Sequence, residues 1–375
     1  MKMTCAFTAS LLVVCGMEVS QAAEAPAPHD SPFPLQLEAR VPFAPTAVQS
    51  AGHASLVYEL YLTNFSNSPL SLSRIEVLDA EGPSSKPFAS FEGAKLDAIL
   101  RPLAAQPAEN KSGPHVLAAG TTLVAFMWVS FENGANVPTR LRHNVVTTTS
   151  SIDGPVIDTH HTELRVFASP LHGAGWTASD GPSNDLDNHH RTGIFVMHGQ
   201  LTLSRRYAID WMRNSSDAAR DPHDEHLYPA YGQPVFAVSD ATVLKTQDGL
   251  PDNVPGPVAT FHTALPITLE NVGGNYVVLD LGGGQYAWYF HLQAGSLKVR
   301  PGEHVRRSQA LAQIGCSGDS TLPHLHFEVT NSPTMLAGDG IPYVLDHYRI
   351  STADNVWESR RRELPLRDML VDFGP

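Results

Sequence analysis

Along the first half of the chain, apolar and polar positions alternate over short runs separated by loops rich in Ser, Pro, Gly and Asn. In "SLVYELYLTN", Leu56, Tyr58, Leu60 and Leu62 fall on one side, with Val57, Glu59, Tyr61 and Thr63 on the other. That period of two predicts a strand. "SLSRIEVLDA", "TTLVAFMWVSF" and "RLRHNVVTTT" read alike, and together they predict an immunoglobulin-like β-sandwich over residues 30–167. No cluster of catalytic residue types falls there, so a structural or targeting module is expected. "ASPLHGAGWTASDGPSNDLDN", dense in turn residues, predicts an irregular linker over 168–188.

The second half carries a loose internal repeat, "GQPVFAVSDATVLKTQDG" from Gly232 and "GEHVRRSQALAQIGCSG" from Gly302. Each runs Gly-x-x-Val, small residues, a further apolar run and a glycine, the pattern of a barrel-sandwich hybrid whose strands turn back on themselves. Lipoyl and biotinyl carriers share it, but they display a lysine at a hairpin tip that neither repeat offers. The expectation is an antiparallel β domain of this hybrid type over 189–350, a tail over 351–375, and an all-β chain.

Three strand-like runs place chemistry on apolar backgrounds. In "RRYAIDW", Ala208 and Asp210 face away from Tyr207, Ile209 and Trp211; a carboxylate in an apolar strand is costly unless paired or metal-bound. In "GGGQYAWYFHL", simple alternation puts Tyr289 and His291 on one face, with Tyr286, Trp288, Phe290 and Leu292 on the other. In "PHLHFEV", His324, His326 and Glu328 share a face opposite Leu325, Phe327 and Val329. Alternate residues on a strand lie roughly 6.5–7 Å apart, so one imidazole can bind a metal while the other reaches a substrate in the same site. Taken singly, His291 reads as a hydrogen-bonded structural histidine, and His223 and His226 in "DPHDEHLYP" as solvated loop residues. The three motifs in this order within one β-rich domain are far more specific than any one alone.

With 375 residues, 42% hydrophobic and 17% charged, the chain is a folded protein with room for two domains. A net charge of −13 argues against nucleic acid or anionic lipid as a partner. "MKMTCAFTASLLVVCGMEVSQAAEA" has a basic start, a short apolar run and small residues, which predicts a signal peptide over 1–23. The mature chain would be secreted or periplasmic, without stable membrane insertion. It would retain only Cys316, and hence no internal disulfide.

At these motifs the sequence resembles the lysostaphin/LytM-like zinc metallopeptidases, which cut peptide bonds in peptidoglycan. The resemblance covers roughly residues 188–346 and is best in "YAIDW", "YGQPVFAVSDATV", "GNYVVLDLGGGQYAWYFHL", "GSLKVRPGEHV" and "IGCSGDSTLPHLHFEV". It implies a Zn2+ cofactor with Asp210 and His326 as ligands, and His291 and His324 as unligated catalytic residues. It also implies an open groove, for which the segment from Gln247 to Gly274 is the candidate wall. The implied activity is an endopeptidase acting on peptidoglycan stem or cross-link peptides, or on another extended peptide, by metal-activated water with histidine acid/base assistance.

One position departs from the family pattern. The first ligand there is a histidine four residues before the aspartate, and this chain has Arg206, which has no lone pair to donate. That departure keeps open a second reading, a degenerate module that binds and regulates another cell-wall hydrolase. The replacement candidates are His189, His190 and His198. Resemblance to exported members that pair "HR" with a downstream "RFAIDW" favours His190. A hairpin of "TGIFVM" and "LTLSRRYAID" turning at "HGQ" would also put His198 at the tip, roughly 30 Å from Asp210 along a straight strand.

Overall fold

The computed structural model describes residues 34–82, 86–103, 113, 115–132, 136–160, 162–213, 220–353 and 356–375. The signal-peptide expectation, with Cys5 and Cys15, lies outside them. Nearly all regular structure is β, as expected. Among the described residues no helix is long and apolar enough to cross a membrane.

Two five-stranded sheets form the N-terminal part. One runs Leu37–Arg40, His53–Asn64, Thr122–Glu132, Leu100–Pro102, with Val48–Ser50 also on His53–Asn64. The other runs Ser151–Asp158, Arg140–Thr147, Leu70–Asp79, Ala89–Glu92, with Val116–Leu117 on Leu70–Asp79. Leu56, Tyr58, Leu60 and Leu62 from the first sheet and Leu72, Ile75, Val77, Leu141 and Val145 from the second share one buried core. The alternation in "SLVYELYLTN" is therefore that of a strand with one face in the core shared by the two sheets.

The C-terminal part is built on a ten-stranded antiparallel sheet. Its order is His304–Val305, Ala241–Gln247, Asn275–Asp280, Tyr286–Leu292, Leu325–Thr330, Ile209–Met212, Ala174–Ser179, Leu370–Asp372, Tyr348–Ala353, Val356–Arg360. The two sequence repeats pair with each other: Pro234–Phe236 lies against Ala310–Gln313, and Ala241–Gln247 against His304–Val305. Each repeat thus supplies the pairing partner that the other's short strands lack.

Two expectations are corrected. Residues 168–188 are not wholly irregular: Ala174–Ser179 pairs with Ile209–Met212 on one side and Leu370–Asp372 on the other. Residues 351–375 are likewise no loose tail, since three strands from 348 onward extend the same sheet. Both runs are short and flanked by turn residues, which hides their period. Their buried side chains, Trp176, Ala178 and Val371, nevertheless join the main C-terminal core.

The sandwich and the large sheet fall within one unit, Leu35–Pro375, and a buried charge cluster ties them. Glu59, on a sandwich strand, accepts from Arg191 and Arg206. Arg206 also donates to Gly340 O and Asp339 Oδ1, at 3.0 Å each. Arg206 is thus fully committed to a structural ion network.

Candidate metal centre

The central strands set the site by register. Asp210 is the cross-strand partner of His326, and His326 of Phe290, so the three form one row across the sheet. The opposite face carries Ile209, Trp211, Leu325, Phe327 and Tyr289 into the core. That matches the parity expected for "RRYAIDW" and "PHLHFEV"; in "YAWYFHL" the expected parity holds for Tyr289 against Trp288 and Phe290 and fails at His291. Tyr289 faces the core while Phe290 shares the face of His326. His291 rejoins the site because the strand bulges. Asn275 pairs with Leu292 and Val277 with Tyr289, so two residues, Phe290 and His291, oppose the single Tyr276. His291 also takes a left-handed φ of 60°. A bulge of this kind re-aims a side chain beside a functional site, and simple alternation cannot foresee it.

His190 arrives from a separate segment. Asn188 accepts from the His190 and Arg191 amides at 2.9 and 3.3 Å, starting the short helix His189–Thr192. Its Nδ1 donates to Asp180 O at 2.8 Å. That carbonyl fixes the proton on Nδ1 and leaves a lone pair on Nε2, which is buried, has no hydrogen-bond partner, and lies 3.5 Å from Asp210 Oδ2. His326 Nδ1 meets the other oxygen of Asp210 at 2.8 Å, and its Nε2 faces Glu328 Oε2 at 3.4 Å.

His190 Nε2 and the Asp210 carboxylate fit a zinc ion, with His326 Nδ1 beside the other carboxylate oxygen. Bonds of about 2.0–2.2 Å to nitrogen and oxygen put neighbouring donors roughly 3.3 Å apart in a tetrahedron, close to the His190–Asp210 spacing. An orphaned buried Nε2 aimed at a carboxylate is a pair of donors that a cation would satisfy. Asp180 O and Glu328 supply the outer partners that orient ligating imidazoles. Among the described residues, the three donors that lie mutually within 4.8 Å are those of His189, His190 and Asp210, but the His189 side chain is exposed and faces Asp180 Oδ2 at 3.6 Å. His198 sits exposed at the tip of the hairpin Phe195–Met197/Gln200–Thr202, with φ of 51°. The expected long second strand is instead broken by a 3-10 turn, Ser204–Tyr207, before Ile209–Met212.

The charges follow from these contacts. Burial, with Arg205, His189 and His326 nearby, outweighs Asp210 and holds the His190 imidazole down at about 3. For His326, burial is outweighed by the two flanking carboxylates, which push it up to about 9. Burial opposes ionisation of Asp210 too, but the His190, His324 and His326 imidazoles hold it well below the usual carboxylate range.

His324 and His291 complete the wall. His324 Nδ1 donates to Leu322 O at 2.7 Å and its Nε2 lies 3.5 Å from Asp210 Oδ1. His291 Nδ1 donates to Ser317 O at 2.8 Å, and the two rings stand 4.7 Å apart, centroid to centroid. Burial, then the neighbouring His324 and His326, keep His291 well below the ordinary imidazole range, hence neutral. Both present Nε2 to a cavity of about 380 Å³ that also exposes His190, Asp210, His326 and Phe290. Of the expected groove wall, Val272 and Gly273 line this cavity.

The carbonyl that orients His291 depends on close backbone packing. Gly318 has φ of 74°, and a Cβ there would lie 2.6 Å from Gly274 Cα. Gly318→Ala is therefore expected to cost about 1–3 kcal/mol in backbone strain. Thermal melts and metal analysis check it: Tm and activity should fall while metal stays bound, and an unchanged Tm would mean the loops yield freely.

A buried carboxylate ringed by imidazoles, on a sheet of duplicated short strands, is an arrangement able to hold a metal ion. Residues 226–337 match the model of Peptidase family M23, so the chain carries an M23 peptidase domain. That match includes His291, His324 and His326, whereas His190 and Asp210 precede it. Lysostaphin of Staphylococcus simulans is 35% identical over 75 residues, 19% of this chain and 15% of the relative. The peptidoglycan DD-endopeptidase ShyB of Vibrio cholerae is 27% identical over 129 residues, 33% of this chain and 27% of the relative. The chain thus spans about a sixth to a quarter of the length of these relatives. The solved catalytic domain of S. simulans lysostaphin aligns at 22% identity and a TM-score of 0.24, covering 45% of this chain and 85% of that one.

Proposed function

We propose that the chain is an exported zinc-dependent endopeptidase that hydrolyses peptide bonds in peptidoglycan stem or cross-link peptides. The observation that supports it most is the unpartnered, buried Nε2 of His190 beside Asp210, with His326 on the other carboxylate oxygen. His190, Asp210 and His326 would hold the ion and leave a fourth position open. Zinc bound there would supply Lewis acidity, polarising a carbonyl and making a bound water acidic near neutral pH. His291, neutral and fixed through Ser317 O, accepts or returns a proton at Nε2; His324, fixed through Leu322 O, does the same from the adjoining wall. Phe290 and the 272–273 backbone bound the space in which an extended peptide lies.

The peptidoglycan assignment draws on the description of ShyB, and export draws on the N-terminal sequence. That Arg206 pairs with Glu59 while His190 brings a free nitrogen to Asp210 supports the catalytic reading over the degenerate module. The test is zinc content of the purified mature protein together with digestion of isolated muropeptides. Bound zinc with cleavage supports the proposal; a protein that takes up no zinc and cuts nothing is the degenerate module. His291→Ala and His324→Ala should each keep zinc and lose about 10²–10⁴-fold in kcat, the usual cost of a positioned acid–base group. Wild-type turnover in either variant would remove that histidine from the mechanism.

A further inference from the structure

Arg205 lines the same cavity as the histidines, and neither the metal set nor the proton-transfer pair uses it. Its neighbour Arg206 is neutralised by Glu59, yet Arg205 has no carboxylate within ion-pairing distance among the described residues. Of the carboxylates around the cavity, Asp180, Asp210 and Glu328 each face a histidine, and Asp319 is exposed. The guanidinium lies over the Phe195 ring, 5.2 Å from Cζ to the centroid, and its Nε is buried with no acceptor. Gly193, at the end of the helix that carries His190, leaves it room: a Cβ there would collide with Nη2 and come within 3.2 Å of Cζ. A partly buried, unpaired cation is unfavourable in the empty protein, and it is repaid when an anion arrives. Its planar fork suits a carboxylate held in two parallel hydrogen bonds.

We infer that Arg205 is a substrate-binding residue that recognises a free carboxylate on the residue flanking the scissile bond. The peptides taken by this site would therefore be acidic next to the point of cleavage. This rests on the proposed peptidase reading for the identity of the bound chain. Its positive charge on the His190 side of the cavity also disfavours cationic flanking residues.

The test uses two cross-linked stem peptides that differ only in whether the side-chain carboxylates of their diacidic residues are free or amidated. Binding is measured by calorimetry in a His324→Ala background, so that bound peptide is not consumed; cleavage is measured with the wild-type chain. A hydrogen bond to a charged group contributes about 1.5–3 kcal/mol, so the free acid should bind roughly 10- to 100-fold more tightly. Adding Arg205→Gln should abolish that preference, while Arg205→Lys keeps part of it; the Tm of both variants is checked against the parent. Equal binding of the two peptides, no binding of either, or a preference that survives Arg205→Gln would each overturn the inference. If the free acid is preferred in binding but wild type cleaves neither peptide, the peptidase reading fails and carboxylate recognition stands. Cleavage of both peptides at equal rates, with equal binding, has the opposite meaning.

Discussion

Replacing His190 by alanine is expected to strip zinc from the protein and reduce hydrolysis to background, while His198→Ala leaves both at wild-type level. The expected loss exceeds that at His291 or His324, because no acid–base pair can act without the ion it serves. His190 is fixed before any metal arrives: Asn188 caps its helix, Asp180 O holds Nδ1, and Nε2 points at Asp210 across 3.5 Å. Alanine would remove that nitrogen and leave two protein donors, one short of the three that a catalytic zinc site uses. His198 lies exposed in a tight turn with Gly199, φ 51° and 77°, on a hairpin that leads away from the site. His189→Ala is the informative control, since the His189 donor lies within 4.8 Å of those of His190 and Asp210. Metal analysis of the three purified variants, with muropeptide digestion alongside, decides the matter. Loss of zinc from His198→Ala with retention in His190→Ala would invert the assignment; retention in both would place the third donor elsewhere.

Much of the site is legible in the sequence because strand parity reports it directly. "HLH" and "AID" put polar atoms at every second position of otherwise apolar runs, and the sheet places Asp210 opposite His326. His291 is recognisable as a residue but not as a geometry, since its approach depends on a bulge and a positive φ. Glu328 stands on the histidine face in the sequence, yet its role on His326 Nε2 emerges only from side-chain contact. Asp180 contributes through a backbone carbonyl, which leaves no trace in residue type. The strand Ala174–Ser179 and those beyond residue 348 escape a period-based reading for another reason. They are short, and their inward residues alternate over too few positions to stand out from turns. Glu59 carries the same signal that marks Asp210, a carboxylate in an apolar strand. Its partners, 132 and 147 residues away, could not be named from the sequence.

Glu59→Gln is expected to destabilise the protein by about 3–5 kcal/mol, the usual consequence of breaking a buried ion cluster by removing one charge. Against a typical total of about 5–15 kcal/mol, that is a large share. Two guanidiniums would be left facing a neutral amide in a site that water does not reach. Arg191 would retain only neutral acceptors: Tyr58 O at 3.1 Å, Met127 O at 3.3 Å and Asn184 Oδ1 at 3.1 Å. Arg206 would keep Asp339 and Gly340 O. Arg191 follows His190 directly and Arg206 lies four residues before Asp210, so zinc affinity should fall together with stability. The pH dependence separates this effect from simple loss of packing. Burial would raise the Glu59 carboxyl, but Arg206 and Arg191 outweigh it and hold it below its ordinary value of 4.5. A carboxylate depressed on folding stabilises fully above that ordinary value, and the contribution disappears as pH falls through the folded one. The gap in Tm between wild type and Glu59→Gln should therefore be constant from neutral pH down to about 4.5 and narrow below it, as thermal melts across pH would show. A gap that stays constant below that point would mean that the glutamate acts through its shape and not its charge.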